Sequence, residues 1–398
     1  MKKIGFLVAS LVASLFASTA FADVAVKLGV LNDRSGVYSD LAGEGSVVAA
    51  QMAVEDYKAA DKGITVEIIS ADHQNKPDIA SNIARQWYDQ DGVDAILDVP
   101  TSSAALAVAE ITREKNKIFL NSGGGTSDLT GKACSPNTVH WTYDSWQLAH
   151  GTASAVVANG GKKWFFVTAD YAFGQAMERD ATEVVKEGGG EVVGSIRHPF
   201  PGTDFSSYLL QAQSSGAQVV AFANAGGDTI NSVKQASEFG LAQSGQQLAG
   251  LLVFANDVHS LGLQTAQGLM LTESFYWDLN DQTREWSARF EEKMNKKPSM
   301  VQAGVYASVL HYLKAVEALG DKDATKVMAK MKETPTDDIL FGKGMIRADG
   351  RKIHQSYLFQ VKKPEESKGE WDLYNLVSTI PAEQSFRPLD KGGCSLIK

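Results

Sequence analysis

The feature that most restricts the fold of this chain is the alternation of short apolar or β-branched runs with longer segments of helical periodicity. Strand-like runs begin near Val26, Ile64, Asp94 and Lys117, and a second series begins near Lys163, Glu191, Gln218 and Leu248. Each series predicts a parallel sheet with helices on both faces. Two series of similar spacing predict an α/β protein with two Rossmann-like lobes, because one hydrophobic core seldom serves a chain of 398 residues.

The second half of the chain adds helices and then returns to strands. Helical periodicity is found at Gln282–Met294, Met300–Leu319 and Ala324–Lys332, and strand-like segments at Ile353–Val361 and Trp371–Leu376. Added helices need a sheet face to cover, and the first lobe offers one. We therefore expect the chain to pass between the lobes more than once.

The start of the chain has the pattern of a secretory signal peptide. Lys2 and Lys3 precede an apolar run over residues 4–16, and Ala20-Phe21-Ala22 offers a small-residue cleavage site. The run is too short to span a bilayer. We expect cleavage near Ala22 and a mature protein in the periplasm.

The charge of the chain argues against polyanionic partners. Removal of residues 1–22 takes away two lysines and no acid, so the formal net charge moves from −9 to about −11. An acidic protein has no electrostatic attraction to nucleic acid or to an anionic membrane surface. We expect neither as a partner.

Only two cysteines are present, Cys134 and Cys394. An even pair in an exported protein favours a disulfide, although two free thiols are the alternative. The bridge would fix the C-terminal tail, residues 381–398, beside the segment around Cys134. On the loop-entropy account, closing so long a loop stabilises the fold by on the order of 5 kcal/mol.

Motifs that would indicate catalysis are missing from the sequence. The seven histidines form no H-E-x-x-H pair, and the chain has no G-x-S-x-G elbow and no P-loop. We therefore expect no enzymatic activity, no metal and no cofactor. A hydrolase remains the alternative, since a catalytic triad needs no local signature.

Small and hydroxylated residues gather where the third and fourth strands end. One cluster covers residues 98–103 and includes Ser102 and Ser103, and the other covers residues 121–127 and includes Gly124 and Thr126. Ligands of open parallel sheets settle at the carboxyl ends of the strands. Hydroxyls and backbone N–H groups at a helix start can bind a carboxylate without a basic side chain. The alternative is structural, with Ser102 as a helix N-cap and the glycines as a turn.

Aromatic residues are concentrated near strand ends and presumed hinges. They are Tyr38, Trp141, Tyr143, Trp146, Tyr171, Phe173, Phe254, Tyr276 and Trp277. Such residues can line a pocket between lobes and stack on a flat solute, or they can pack in the core.

Several stretches resemble the type I periplasmic binding proteins of the leucine/isoleucine/valine-binding family. They are KLGVLNDRSGVYSDLAGEG, DYAFG, QAQSSGAQVV, GGDTINSVKQASEFG and QAGVYASVLHYLKAVE, and together they extend over nearly the whole mature chain. The resemblance implies two lobes joined by three crossings around a central cleft. It also implies a ligand trapped by hinge closure and delivered to an ABC-type permease.

The resemblance also assigns the parts of the chain. It implies a first lobe at residues 23–142 and 276–353 and a second lobe at residues 143–275 and 354–380, followed by the tail. Ser102, with Ser103 beside it, matches the carboxylate-binding serine of the family. Thr126 and the Gly124 backbone match its second clamp.

Further candidate ligand contacts come from both lobes. Phe173, next to Tyr171 in DYAFG, matches the position of an aromatic residue over the ligand, and Tyr38 lies in the first loop at the cleft. Amino-acid binders of this family hold the ligand's ammonium group with an acid near residues 254–257. Here Asp257 is the candidate. Ala225 lies near a position where tyrosine is common, and its neighbour Asn224 is a further candidate contact.

The ligand class stays open between two alternatives. A buried ammonium group without a carboxylate partner is costly, so an Asp257 that points away disfavours amino acids. We place a small aromatic or hydrophobic organic acid ahead of a branched-chain or other amino acid. We expect a monomer, and a ligand sensor that docks on a receptor is an alternative to transport.

Overall fold

The computed structural model describes residues 24–397, so the predicted signal peptide lies outside the described residues. The chain begins with five strands and three long helices that form what we call lobe 1. These are β1 (Val24–Asn32), α1 (Gly43–Tyr57), β2 (Ile64–Asp72), α2 (Pro77–Asp89), β3 (Ala95–Asp98), α3 (Ser102–Glu114), β4 (Ile118–Asn121) and β5 (Thr138–His140).

The five strands of lobe 1 form one parallel sheet in the order β2-β1-β3-β4-β5. Strands β3 and β4 are buried along their whole length, as expected for a parallel sheet covered on both faces. Their carboxyl ends are neighbours, because Asp98 pairs with Asn121. The two hydroxyl-rich clusters of the sequence therefore start from adjacent points of one sheet edge.

The next part of the chain forms a second sheet, which we call lobe 2 together with its helices. Its elements are α4 (Ser145–Leu148), α5 (Ser154–Ala158), β6 (Lys163–Ala169), α6 (Ala172–Glu187), β7 (Glu191–His198), α7 (Ser206–Ser214), β8 (Val219–Ala223), α8 (Gly227–Glu238), β9 (Gln247–Gly250), α9 (Ala255–Leu261), α10 (Leu263–Ala266) and β10 (Met270–Glu273). Strands β6 to β9 are parallel, in the order β7-β6-β8-β9.

The last part of the chain returns to lobe 1 and then to lobe 2. Its elements are α11 (Asp281–Met294), α12 (Met300–Leu319), α13 (Ala324–Glu333), β11 (Thr336–Asp338), β12 (Gly342–Ile346), β13 (Lys352–Ile353), β14 (Ser356–Val361), β15 (Tyr374–Ile380) and α14 (Ala382–Ser385). Helix α12 is buried on most of its surface and packs on α1 and on strands β3 and β4 of lobe 1. Strands β14 and β15 form an antiparallel sheet with β10 of lobe 2.

The predicted α/β fold of two Rossmann-like lobes is therefore confirmed. The chain passes between the lobes at residues 141–144, 274–280 and 354–355. The Thr142 carbonyl oxygen joins all three passages, because it accepts from Ser274 Oγ at 3.0 Å and lies 2.9 Å from His354 Nε2. A shared acceptor of this kind keeps the three passages together where the lobes meet.

One predicted strand is placed differently in the structure. The segment Trp371–Leu376 was expected to be extended, but β15 begins only at Tyr374 and continues to Ile380. The Trp371 carbonyl and the Leu373 N–H group are bonded to the Tyr276 hydroxyl, so a side chain replaces the neighbouring strand there.

Cys134 and Cys394 form the predicted disulfide. The tail that carries Cys394 leaves lobe 2 after Ile380 and ends against lobe 1. Along this path Phe386 lies under the Arg351 guanidinium, and Arg387 Nη2 donates to the Ser127 carbonyl at 2.8 Å. Among residues 24–397, no helix is both long enough and apolar enough to cross a membrane.

Candidate ligand-binding site between the lobes

The two hydroxyl-rich clusters meet at the carboxyl edge of lobe 1. The backbone N–H of Thr126 donates to Ser102 Oγ at 3.1 Å, and both residues are fully buried. Ser102 is the first residue of α3, and Thr101 precedes the helix without capping it through its side chain. The interpretation of Ser102 as an N-cap is therefore wrong, because its hydroxyl bonds the neighbouring loop instead of its own helix.

The start of α3 carries unused hydrogen-bond donors. The first helical bond runs from the Ala105 N–H to the Thr101 carbonyl. Within residues 24–397, no acceptor takes the N–H groups of residues 102–104. Half-buried Ser103 adds a hydroxyl at the same end, where the helix dipole favours an anion.

The loop after β4 packs tightly against this helix start. A Cβ atom added to Gly124 would lie 2.6 Å from the Ala105 Cβ, so only glycine allows the approach. Gly124 itself is fixed by Asn121, whose side chain bonds both the N–H and the carbonyl of Gly124. The Thr126 hydroxyl accepts from the Asp128 N–H at 3.3 Å.

A narrow cavity lies between the lobes at this edge. About 210 Å³ of space lies between the lining atoms, but only about 10 Å³ of it can take the centre of a water molecule while the lobes are closed. Its lining consists of Tyr38, Leu41, Pro100, Tyr143, Tyr171, Phe173, Ala225, Leu252 and Phe254. None of these nine residues has a charged side chain, and five are aromatic. The lining therefore suits a flat and largely apolar solute, which fits only when the lobes move apart.

Aromatic residues of the two lobes touch across the cavity. The Tyr38 hydroxyl of lobe 1 is hydrogen-bonded to the Tyr171 hydroxyl of lobe 2. Phe200 stacks on both rings, with centroid distances of 5.5 Å to Tyr38 and 4.1 Å to Tyr171. The lobes are thus closed over the cavity, and a solute enters only when they separate.

The Tyr143 ring of the cavity wall is positioned by two glycines of the loop after β4. The Tyr143 hydroxyl donates to the Gly123 carbonyl at 2.6 Å. A Cβ atom on Gly125 would lie 2.8 Å from the Tyr143 ring and 2.9 Å from the Phe173 ring. Glycine at position 125 therefore lets both rings reach the cavity.

Burial dominates the electrostatics around the cavity. Desolvation raises the pKa of the Tyr38 and Tyr143 phenols well above the ordinary value, so both stay neutral. The same cause raises the pKa of Asp98 to about 6 and that of Asp257 to about 7. The surroundings are dry, and any polar group of a ligand that enters needs a hydrogen-bond partner there.

Asp257 and Asn224 serve the interior of lobe 2. Asp257 Oδ2 accepts from the Phe254 N–H at 3.0 Å, at the start of α9. Asn224 Oδ1 accepts from Thr229 Oγ1 at 2.8 Å. Neither residue lines the cavity.

Three of the nine predicted ligand contacts, Tyr38, Tyr171 and Phe173, line the cavity directly. The other six are not in the lining: Thr126 is bonded to Ser102 and Gly124 packs on Ala105 at the start of α3, Ser103 follows Ser102, and Asn224 and Asp257 are bonded within lobe 2. Sequence reasoning did not select the other lining residues, which are Leu41, Pro100, Tyr143, Ala225, Leu252 and Phe254. Tyr143 and Phe254 were grouped with the clustered aromatics, and that grouping is the signal that could have found them.

A larger depression lies elsewhere, beside Trp277 and Trp371, with about 920 Å³ of empty space open to solvent. Six of its seven charged side chains have an ion-pair partner, as in Lys297 with Glu291 and Lys362 with Asp372. It therefore presents fewer unpaired groups to a solute than the start of α3, and we take the interlobe cavity as the site.

The chain has two parallel α/β lobes, three connecting passages and a cavity where the carboxyl edges of the sheets face each other. These features define the class of type I periplasmic binding folds. The sequence pattern described as "Periplasmic binding protein" matches residues 25–370, and the chain belongs to this family.

Relatives and solved structures agree with this membership. The chain is 32% identical over 345 residues to "Leu/Ile/Val-binding protein homolog 6" of Brucella melitensis, covering 83% of this chain and 86% of that protein. A periplasmic binding protein from Burkholderia mallei is 50% identical, with a TM-score of 0.92 over 94% of this chain and 100% of that chain. A branched chain amino acid ABC transporter periplasmic ligand-binding protein from Burkholderia xenovorans is 43% identical, with a TM-score of 0.83 over the same shares.

The protein is thus a periplasmic solute-binding component of an ABC transporter. It binds a small molecule and works with a membrane permease, and it is not an enzyme.

Proposed function

We propose that the protein captures a small aromatic or hydrophobic carboxylate in the interlobe cavity and releases it to its permease when the lobes open. The observation that carries the proposal is the uncharged, aromatic lining of the cavity. An α-amino acid would bring an ammonium group into this lining. Burying that group without a carboxylate partner costs several kcal/mol.

Asp257 does not supply that partner in the arrangement described above. Its Oδ2 atom accepts from the Phe254 N–H, and burial keeps its pKa at about 7. A carboxyl group that is only about half ionised at neutral pH, and that already accepts a backbone hydrogen bond in lobe 2, compensates an ammonium ion less than a fully ionised one. The geometry thus supports a ligand without an amino group.

The carboxylate of the ligand would be held at the start of α3. The donors we propose are the hydroxyls of Ser102, Ser103 and Thr126 and the unused N–H groups of residues 102–104. The Gly124 N–H already donates to Asn121 Oδ1, so Gly124 would contribute by shaping the loop around the carboxylate. Helix starts bind anions in this way without a basic side chain. The rings of Tyr38, Tyr171 and Phe173 would cover the apolar part of the ligand.

A more distant protein of the same fold agrees with this ligand class. A solute-binding protein from Rhodopseudomonas palustris was solved in complex with benzoate, and it is 22% identical to this chain with a TM-score of 0.82. At that identity the likeness concerns the fold alone. It supports the proposal only in that two lobes of this type can enclose an aromatic carboxylate.

Branched-chain amino acids are the second candidate, favoured by the names of the Brucella and Burkholderia relatives. Isothermal titration with benzoate, 4-hydroxybenzoate, cinnamate, leucine, isoleucine and valine separates the two. We expect heat of binding from at least one aromatic acid and none from the amino acids. Tight leucine binding without any response to the acids would reverse the assignment.

Ser102→Ala tests whether the Ser102 hydroxyl binds the carboxylate of the ligand. We expect the affinity for the bound acid to fall about tenfold to a hundredfold, because a charge-assisted hydrogen bond is lost in a dry site. Ser81→Ala is the matched control, since Ser81 Oγ bonds only its own helix at Pro77. An unchanged affinity in Ser102→Ala would remove this residue from the site.

The remaining parts of the proposal concern processing and partners. We propose cleavage near Ala22, a monomer, and transport instead of sensing. Mass spectrometry of the secreted protein should give a chain that begins at Asp23, and light scattering should give one copy per particle. Uptake of the bound acid should stop when the gene is deleted, whereas a pure sensor would leave uptake intact.

A further inference from the structure

Two consecutive glycines in lobe 2 meet the first loop of lobe 1. The Gly227 N–H donates to the Val37 carbonyl at 3.1 Å, which is a backbone hydrogen bond between the lobes. Val37 follows β1 in lobe 1, and Gly226 and Gly227 follow β8 in lobe 2. The bond lies next to Tyr38, which lines the cavity.

The lobe 1 side of this bond is rigid. Asp33 accepts from the backbone N–H of Gly36 at 2.7 Å and from that of Tyr38 at 2.8 Å. The Asn75 side chain donates to the same carboxylate at 2.5 Å. Bonds on both sides of Val37 fix the direction of its carbonyl, so the loop offers lobe 2 a preformed acceptor.

The lobe 2 side leaves no room for side chains. A Cβ atom on Gly226 would lie 2.5 Å from the Val37 carbonyl oxygen and 2.9 Å from the Tyr38 ring. Gly226 also has a φ of +56°, a conformation that favours glycine. At Gly227, which starts α8, the three nearest atoms to an added Cβ all belong to Val37, at 3.2, 3.3 and 3.6 Å.

Gly227 therefore separates the contact between the lobes from the needs of the local backbone, which Gly226 does not. Its φ is not positive, so its own backbone would accept any residue. What a side chain at position 227 would meet first is the opposite lobe. The absence of a side chain there serves the contact between lobes and not the fold of lobe 2.

We propose that Gly226, Gly227 and Val37 form a closure contact that sets how far the lobes shut and thereby the affinity for the ligand. A side chain at position 227 would hold the lobes apart at the point where Tyr38 must reach Tyr171. This inference rests on the proposal that the lobes close over a ligand, but it does not depend on the chemistry of that ligand. Gly227 acts as a positioning residue and touches no ligand.

A cysteine pair tests the contact without any ligand. In Val37→Cys/Gly227→Cys, the two Cβ atoms would lie about 3.3 Å apart in the closed form, close to the range found in disulfides. We expect mild oxidation to join the two lobes through positions 37 and 227, as mapped by mass spectrometry of the peptides under non-reducing conditions. Benzoate or leucine, whichever binds, should speed the reaction by favouring the closed form.

The control pair is Val37→Cys/Ser214→Cys. Ser214 is exposed at the end of α7, before β8 begins, on the side of lobe 2 away from the cleft. It should remain unlinked under the same oxidation. Equal linking of both pairs, or no linking of positions 37 and 227, would overturn the closure contact whatever the ligand proves to be.

An exchange of the two side chains tests the effect on affinity. Gly227→Val should weaken binding about tenfold or more, measured with whichever ligand binds the wild-type protein in the titration. The added side chain destabilises the closed form, which is the form that holds the ligand. Val37→Gly/Gly227→Val returns the lost space and should recover most of the affinity. Failure of the double variant to recover, with both variants folded by circular dichroism, would show a local role for Gly227 and refute the proposal.

Discussion

At the scale of single residues, Asp257 shows how position decides what an acid does. Its side chain is 3% exposed and is bonded to the start of α9, so burial raises its pKa to about 7. The unfolded chain ionises the same group near pH 3.9. Between these values the native state holds a proton that the unfolded state has lost, so stability must fall as the pH rises.

Asp257→Asn should remove this pH dependence. The amide oxygen can still accept from the Phe254 N–H, but nothing is left to ionise. Relative to this variant, the wild type should lose unfolding free energy by up to about 1.4 kcal/mol per pH unit between roughly pH 4 and pH 7. Urea unfolding at several pH values measures the difference.

The control for this prediction is Asp323→Asn, because Asp323 also accepts a backbone N–H at a helix start but is exposed. The fall in stability that comes from Asp257 should persist in this variant, because Asp257 is intact in it. A profile of Asp257→Asn parallel to that of the wild type would mean that the buried carboxyl ionises as readily as in water.

Only some of the cavity-lining residues can be identified from the sequence. Aromatics such as Tyr38 and Phe173 could be selected because they lie in loops at carboxyl strand ends, where ligands settle. Pro100 and Leu252 lie at such ends too, but nothing in their type distinguishes a cavity wall from a core position. Which side chain turns toward the other lobe is fixed by the closed geometry, which a linear pattern does not contain.

At the scale of elements, helix α6 joins the two lobes at one side of the cleft. Its Asp180 Oδ2 accepts from Ser127 Oγ at 2.8 Å and from Ser145 Oγ at 2.6 Å. The neighbouring Arg179 pairs with Asp128 of lobe 1 at 3.1 Å. A buried carboxylate with this many donors cannot be removed without leaving several of them unsatisfied.

Asp180→Ala should therefore lower the unfolding free energy by about 3 kcal/mol, within the range for breaking a buried charged network. Thermal unfolding followed by circular dichroism measures the loss. Glu183→Ala on an exposed position of the same helix should change stability very little. Equal effects of both substitutions would mean that the network adds nothing beyond the helix itself.

Most of the elements could be predicted from periodicity, and the exceptions have a common cause. Strands β1 to β4 and β6 to β9 lie where apolar runs indicated them, and α12 spans Met300–Leu319 as expected. Short strands such as β5 and β11 to β13 carry two to five residues each, too few for a period to be visible. They exist because neighbouring strands pair with them, which is tertiary information.

At the scale of the whole molecule, the tail is a connection between the lobes beyond the three passages. It starts at Ile380 in lobe 2, crosses the third passage with Phe386 against His354, and is bonded to lobe 1 through Cys134 and Cys394. The disulfide joins two residues that are 260 positions apart in the sequence. Closing such a loop limits the unfolded chain and stabilises the native state by on the order of 5 kcal/mol as an upper value.

Cys134→Ser/Cys394→Ser should therefore unfold at a lower temperature than the wild type, and the wild type in dithiothreitol should approach the variant. Calorimetry with and without the reductant measures both shifts. Dithiothreitol should leave the double variant unchanged. Equal unfolding temperatures of wild type and variant would mean that the tail is held by its other contacts alone.

We expect the tail also to favour the closed form over the open form. A chain end that leaves one lobe and is covalently fixed to the other raises the effective concentration of each lobe for its partner, as any short tether does. We therefore expect opened molecules to return to the shut form more readily than they would without the bridge, and a captured solute to escape less often.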